Sequence, residues 1–177
     1  MPTPIGHAIA GSALAVRSGR QSFNKWIFSF VIFFSVLPDF DILPGFLAGD
    51  VNRYHRLFSH SLFFVTISGL AGALLLWRII NCHFLKCALW FTGAGYLHLF
   101  MDTLTVDSRA PFGCPLFMPF SDQHTIFPVQ VFLDLHRASA AGDFFASLFT
   151  THNFHVLLVE LALTLPILLL TLRSRKN

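Results

Sequence analysis

Charge is what this chain has least of. Only 12% of its 177 residues are Asp, Glu, Lys or Arg, whereas a soluble domain carries about a quarter. A surface so poor in charge cannot be wetted throughout, and lipid is the solvent that resolves this. The basic excess, formally +3, is too small and too scattered for a nucleic-acid footprint, so no nucleic-acid partner is expected. Cysteine is rare: Cys82, Cys87 and Cys114 are odd in number and lack C-x-x-C spacing. That excludes a disulfide framework or a zinc knuckle and leaves them as small hydrophobes. The first residues have no basic n-region, so no cleaved leader is expected.

What the chain does have is apolar side chains, 54% of the total, with 22 Phe against 2 Tyr. The length suits one domain over residues 1–177. Apolar runs fall at 5–16, 26–38, 62–77, 87–101 and 154–172. They predict an all-α, polytopic membrane fold with four to five membrane-embedded helices. At ~1.5 Å per residue the first two runs are short for ~30 Å of hydrocarbon. The region 103–153 contains Pro111, Pro115, Pro119 and Pro128 and reads as loop, with an interfacial helix expected around 128–149.

Basic residues set an orientation. Arg17/Arg20/Lys25, Arg78/Lys86 and Arg173/Arg175/Lys176 fall at alternate ends of successive apolar runs. The positive-inside rule makes all of these cytoplasmic, the C-terminus included. Residues 39–61 and the loop 103–153 are then extracytoplasmic, although Arg53, Arg56, Arg109 and Arg137 run against the trend.

With that topology, seven His and Asp residues reach one membrane level: His7, Asp39, Asp41, His55, His60, His98 and Asp102. His98 and Asp102 are i and i+4 on a helix and share a face. Asp39 and Asp41, in LPDFD, flank one residue where a turn can aim both carboxylates inward. Such groups are costly near lipid unless paired or metal-bound. Imidazole with carboxylate suits zinc, manganese or iron. Each element also has a plainer reading: LPDFD as a helix stop, His55 as a surface residue beside Arg56, His60 as a helix-start group, His98/Asp102 as a hydrogen-bonded pair. Their convergence favours metal. His83, His136, His152 and His155 lack this context. Glu160, inside the last run, has no partner evident from the sequence.

The ordered pieces GHAIAG, LPDFD, HRLFSHS, YLHLFMDTLT and GCPLFMPFS, spanning residues 6–121, resemble the YdjM-like family of inner-membrane-associated proteins assigned as metal-dependent hydrolases. One departure is visible: Leu57 and Ser59 stand where the family has Gly and Thr, which puts the geometry of that loop in question. The family is in turn remotely similar to zinc-dependent phospholipases C and single-strand-specific zinc nucleases. The resemblance implies a bacterial inner membrane location, a phospholipase C-like helical metal-site core and phosphoester hydrolysis.

These readings together give an expectation. Two or more divalent metals, zinc first, are held by the seven His and Asp residues. Asp102 and Arg56 take catalytic roles, Arg56 by its match to phosphate oxygens, and Ser59 and Ser61 orient the histidines. The sequence names no general acid; Asp122 and His124 in the long loop are no more than suggestions. A site at the membrane surface suits an amphiphilic or lipid-linked phosphate. The alternatives are a metal transporter, whose ligands would lie deeper in the spans, and a non-catalytic metal-binding membrane protein with closed coordination.

Overall fold

The computed structural model describes residues 1–18, 24–108 and 110–176. Arg20 and Arg109, and the side chains of Arg175 and Lys176, lie outside what is described, so their part in the charge pattern is not placed.

Among the described residues, seven α-helices follow one another: α1 Pro4–Ser18, α2 Lys25–Val36, α3 Ile42–Leu47, α4 Leu62–Ile80, α5 Phe84–Thr103, α6 Phe144–Leu148 and α7 Thr151–Lys176. Short 3₁₀ turns cover Leu37–Asp41 and Phe58–His60. Among the described residues, three segments are long and apolar enough to cross a membrane: Lys25–Leu47, Leu62–Ile80 and Thr151–Ser174. The fold is therefore that of a helical membrane protein.

Local chemistry accounts for the helix ends. Asn24 Oδ1 accepts from the Trp26 and Ile27 N–H groups and starts α2. Ser61 caps α4, which stops at Asn81 in the left-handed region, φ 51°. His83 Nδ1 accepts from Lys86 N–H at the start of α5. Each cap satisfies amide hydrogens that a helix start leaves unpaired.

The core lies between α1, α2, α4 and α5. Phe34 stacks on Phe91, ring centroids 5.1 Å apart, among buried Val31, Leu76, Ala88 and Ala94. Close approach of α1 depends on its glycines. A Cβ on Gly11 would collide with Ser35 Oγ, and one on Gly6 would reach within 2.8 Å of Glu160 Oε2. Small residues at helix contacts are how membrane helices pack closely.

Glu160 has a partner after all. Its carboxylate accepts from Thr3 N–H and Thr3 Oγ at 2.7 and 2.5 Å, and Thr3 Oγ accepts from Gly6 N–H at 3.3 Å. A carboxylate from α7 thus anchors the amide end of α1, where negative charge is favoured. His7 follows on that first turn.

The interfacial helix expected at 128–149 is not formed. Only Phe144–Leu148 is helical; the preceding chain pairs with other segments instead. Phe132 bridges Thr105, Cys114 bridges Thr125, and Ala140 bridges Asp50. The amides of Val131 and Phe132 both donate to Leu104 O, so they are not available to a helix. The region folds back against the end of α5 and against Asp50.

Candidate metal centre

Four separate segments deliver the cluster. His7 comes from the first turn of α1, Asp39 from the 3₁₀ turn after α2, His60 from the turn before α4, and His98 and Asp102 from the end of α5. All five side chains are buried, none more than 2% exposed. His7 Nε2 lies 3.3 Å from Asp102 Oδ1; His60 Nε2 lies 3.4 Å from Asp102 Oδ2 and 3.7 Å from Asp39 Oδ1. His98 Nε2 lies 3.6 Å from Asp102 Oδ2 and 3.8 Å from Asp39 Oδ1. The His7 and His98 rings stack at 3.8 Å.

These separations are too long for good hydrogen bonds, and the consequence is plain. Both nitrogens of His7 and all four carboxylate oxygens of Asp39 and Asp102 are buried without a hydrogen-bond partner. Such groups are normally satisfied. Three overlapping donor sets have ligand atoms within 4.8 Å of one another: His7/Asp39/His98, Asp39/His55/His60 and His60/His98/Asp102. Divalent cations fit this arrangement, because a cation satisfies several lone pairs at once and imidazole with carboxylate is a standard donor set for zinc, manganese and iron.

The histidines are aimed from behind. His98 Nδ1 donates to Ser35 O at 2.9 Å; a carbonyl only accepts, so Nε2 is left with its lone pair toward the cluster. His55 Nδ1 donates to Asp41 Oδ1 at 2.7 Å, and His60 Nδ1 lies 3.2 Å from Asp41 Oδ2. Asp41 Oδ2 also accepts from Ser59 Oγ at 2.5 Å and from Arg56 N–H at 3.1 Å.

Asp41 therefore sits differently from the expectation that it holds metal beside Asp39. A 3₁₀ turn rotates about 120° per residue, so residues two apart diverge: Asp39 faces the cluster while Asp41 faces the backs of His55 and His60. Supporting carboxylates of this kind typically matter 10–100-fold in metal affinity. Asp41→Asn is expected to weaken metal binding by about that factor while keeping the fold, as a chelator-competition titration would read; unchanged affinity would remove Asp41 from this role.

The other expected residues are placed as follows. His55 has its second nitrogen against Met1 Sδ; burial, opposed by the Asp41 hydrogen bond and aided by the charge of Arg137, holds its pKa at about 4, so the ring is neutral at pH 7 and fit to ligate. Burial disfavours charge on His60 as well, but its contacts with Asp102, Asp39 and Asp41 prevail and hold its pKa well above the usual value; cation binding there displaces a proton. Ser59 supports Asp41 and touches His60 Nδ1 at 3.0 Å. Ser61 does not orient a histidine: its Oγ donates to Phe58 O and accepts from Phe64 N–H as the α4 cap. Among the described contacts nothing joins Asp122 or His124 to the cluster; His124 Nδ1 donates to Asp122 O in a local turn. Leu57 is not at a left-handed position. The tight backbone falls on Arg56, φ 57°, so a side chain at 57 is accommodated.

Arg56 is largely but not fully buried, its side chain 11% exposed, and forms an ion pair with Asp107, which also accepts from Gly113 N–H at 2.8 Å. Burial opposes the arginine's charge, but Asp102 and Asp107 keep it firmly protonated. It lines a pocket of about 180 Å³ with His55, Arg53, Arg137, Asp107 and Asp134. Asp107 and Arg137 were not singled out from the sequence. The one signal for Asp107 is its spacing, five residues after Asp102 beyond the end of α5.

Helices that cross a bilayer and a buried His/Asp cluster at one end define an integral membrane protein with a candidate metal centre. The chain belongs to the YdjM inner membrane protein family, whose model matches residues 1–176. It is similar to the inner membrane protein YbcI of Escherichia coli (strain K12), 29% identical over 134 residues, which are 74% of this chain and 75% of that protein. No solved structure matches.

Proposed function

We propose that this chain is a membrane-bound, metal-dependent hydrolase of phosphoesters, acting on a phospholipid or lipid-linked phosphate. The observation that carries the reading is the set of six buried polar atoms without a hydrogen-bond partner on His7, Asp39 and Asp102, beside a pocket lined by three arginines, Arg53, Arg56 and Arg137, against two carboxylates, Asp107 and Asp134. His7, Asp39, His55, His60, His98 and Asp102 would hold two or more cations, zinc foremost, with Asp39 common to two donor sets. Divalent cations in such a site supply Lewis acidity and lower the pKa of water toward 7.

The chain's own residues do the rest. Arg56 presents a guanidinium fork that matches phosphoryl oxygens, and Asp107 fixes its direction. Asp41 engages Nδ1 of His55 and of His60 and so turns each Nε2 away from itself; a cation on His55 Nε2 would take the place of its contact with Met1 Sδ. The cluster side chains are almost fully buried, which limits water access to them. The rival reading as a metal transporter loses its one deep ionisable group, because Glu160 is committed to Thr3. A purely structural metal site gives no reason for a cationic pocket beside it.

Charge supports an extracytoplasmic cluster: Arg17, Lys25, Arg78, Lys86 and Arg173 lie at the helix ends remote from it, which the positive-inside rule favours as the cytoplasmic side, against Arg53, Arg56 and Arg137 at the cluster end. The test of function is hydrolysis of a phosphoester panel by protein in detergent, stripped with chelator and then restored with zinc or manganese. Turnover that vanishes on stripping and returns on restoration is the expected result. No turnover of any phosphoester after restoration would contradict the reading.

A further inference from the structure

A second cavity, of about 300 Å³, lies between α5 and α7. Both helices pack on α1, so Ala10 forms its floor, Leu97, Phe100, Met101 and Leu104 one wall, and Leu163 and Ile167 the other; Val131 and Phe132 close its top. The single polar lining group is Thr164, and its hydroxyl is satisfied by donating to Glu160 O at 2.7 Å. Nothing in the groove asks for a hydrogen bond, so its occupant is hydrocarbon. Phe100 and Ile167 at its edges are half-exposed. Since α7 is long and apolar enough to span, that edge opens onto lipid tails rather than water.

The groove and the cationic pocket share one short segment. Leu104 lines the groove and Asp107 lines the pocket. Only Thr105 and Val106 lie between them, a reach of at most about 11 Å over three steps of chain. An amphiphile with phosphate in the pocket therefore has its first chain carbons at the top of the groove.

We propose that the groove between α5 and α7 is an acyl-chain subsite for a phospholipid whose phosphate occupies the Arg53/Arg56/Arg137 pocket. This deepens the hydrolase reading and rests on it for the role of the pocket. Binding in the groove is nevertheless separable from turnover. Chain burial there contributes affinity at roughly 0.8 kcal/mol per methylene moved from water, but a lipid already in the bilayer gains little of this. The groove's role is to position the chain, so that the phosphate is presented at the cluster.

The test uses chelator-stripped protein, so that no hydrolysis occurs, in nanodiscs of phosphatidylethanolamine and phosphatidylglycerol. A small fraction of phosphatidic acid bearing a diazirine in its acyl chain is included, and photolabelled peptides are mapped by mass spectrometry. Label is expected to be enriched several-fold on Leu97–Leu104 and Leu163–Ile167 over the exposed Ile67, Leu74 and Leu75 face of α4. Ala10→Phe and, independently, Leu163→Phe should each lower that enrichment. Even labelling of α4, α5 and α7, or enrichment untouched by both variants, would overturn the subsite. Enrichment in a protein that hydrolyses no phosphoester after metal restoration keeps the subsite and removes the hydrolase. Hydrolysis without enrichment does the reverse.

Discussion

Asp102→Ala and His98→Ala are each expected to bring the proposed metal-dependent phosphoester hydrolysis down to background, while the protein should still insert into the membrane at wild-type levels. The two residues occupy one face of α5, one turn apart, and each meets ligands from other helices. Asp102 lies within 3.6 Å of His7, His60 and His98, so its loss would remove a carboxylate that three histidines face. Insertion is unaffected, because it depends on the apolar lengths of Lys25–Leu47, Leu62–Ile80 and Thr151–Ser174, none of which contains either residue. Helical circular dichroism and recovery in the membrane fraction provide the control. Normal turnover in both variants would remove the cluster from catalysis.

The second large effect belongs to Arg56. Arg56→Ala should leave metal content unchanged, since the guanidinium is paired with Asp107 and lines the pocket rather than joining any donor set. Turnover should nevertheless fall by about 10²–10³, the usual consequence of removing a fixed group that stabilises developing charge. Arg56→Lys is not expected to restore it, because an ammonium lacks the planar fork. The backbone at 56 is left-handed, so Arg56→Gly serves as a check: it relieves the conformation and should be as inactive as alanine. Lost metal in Arg56→Ala would instead assign the residue to holding the site together.

The reasons some of this was legible in the sequence are physical. Spacing of i and i+4 is enough to put His98 and Asp102 on one helix face, and the alternation of apolar runs with basic clusters is enough to bring His7, LPDFD and HRLFSHS to the same end of the bundle. What spacing could not separate was Asp39 from Asp41. That depends on Leu37–Asp41 being a 3₁₀ turn, where a two-residue step sends one carboxylate to the cluster and the other behind it. The same limit applies to Ser59 and Ser61: both flank His60, yet only Ser59 faces Asp41, because Ser61 is used as a helix cap. Long-range partners left no local trace at all. Nothing near Glu160 in the sequence points to Thr3, and nothing near Arg56 points to Asp107. The segment 128–149 is helix-compatible over part of its length, but its amides are captured by Leu104 and its neighbours across the fold, a choice made by tertiary pairing rather than by propensity.

The measurement that bears most directly on the central claim is metal content. Protein purified gently in detergent, incubated with zinc or manganese and desalted, is assayed by elemental mass spectrometry beside the His98→Ala/Asp102→Ala double variant. The account predicts about two divalent ions per chain, as in two-metal hydrolytic sites, with loss of bound metal in the double variant. Metal no higher than background in the wild-type protein after this loading would contradict it.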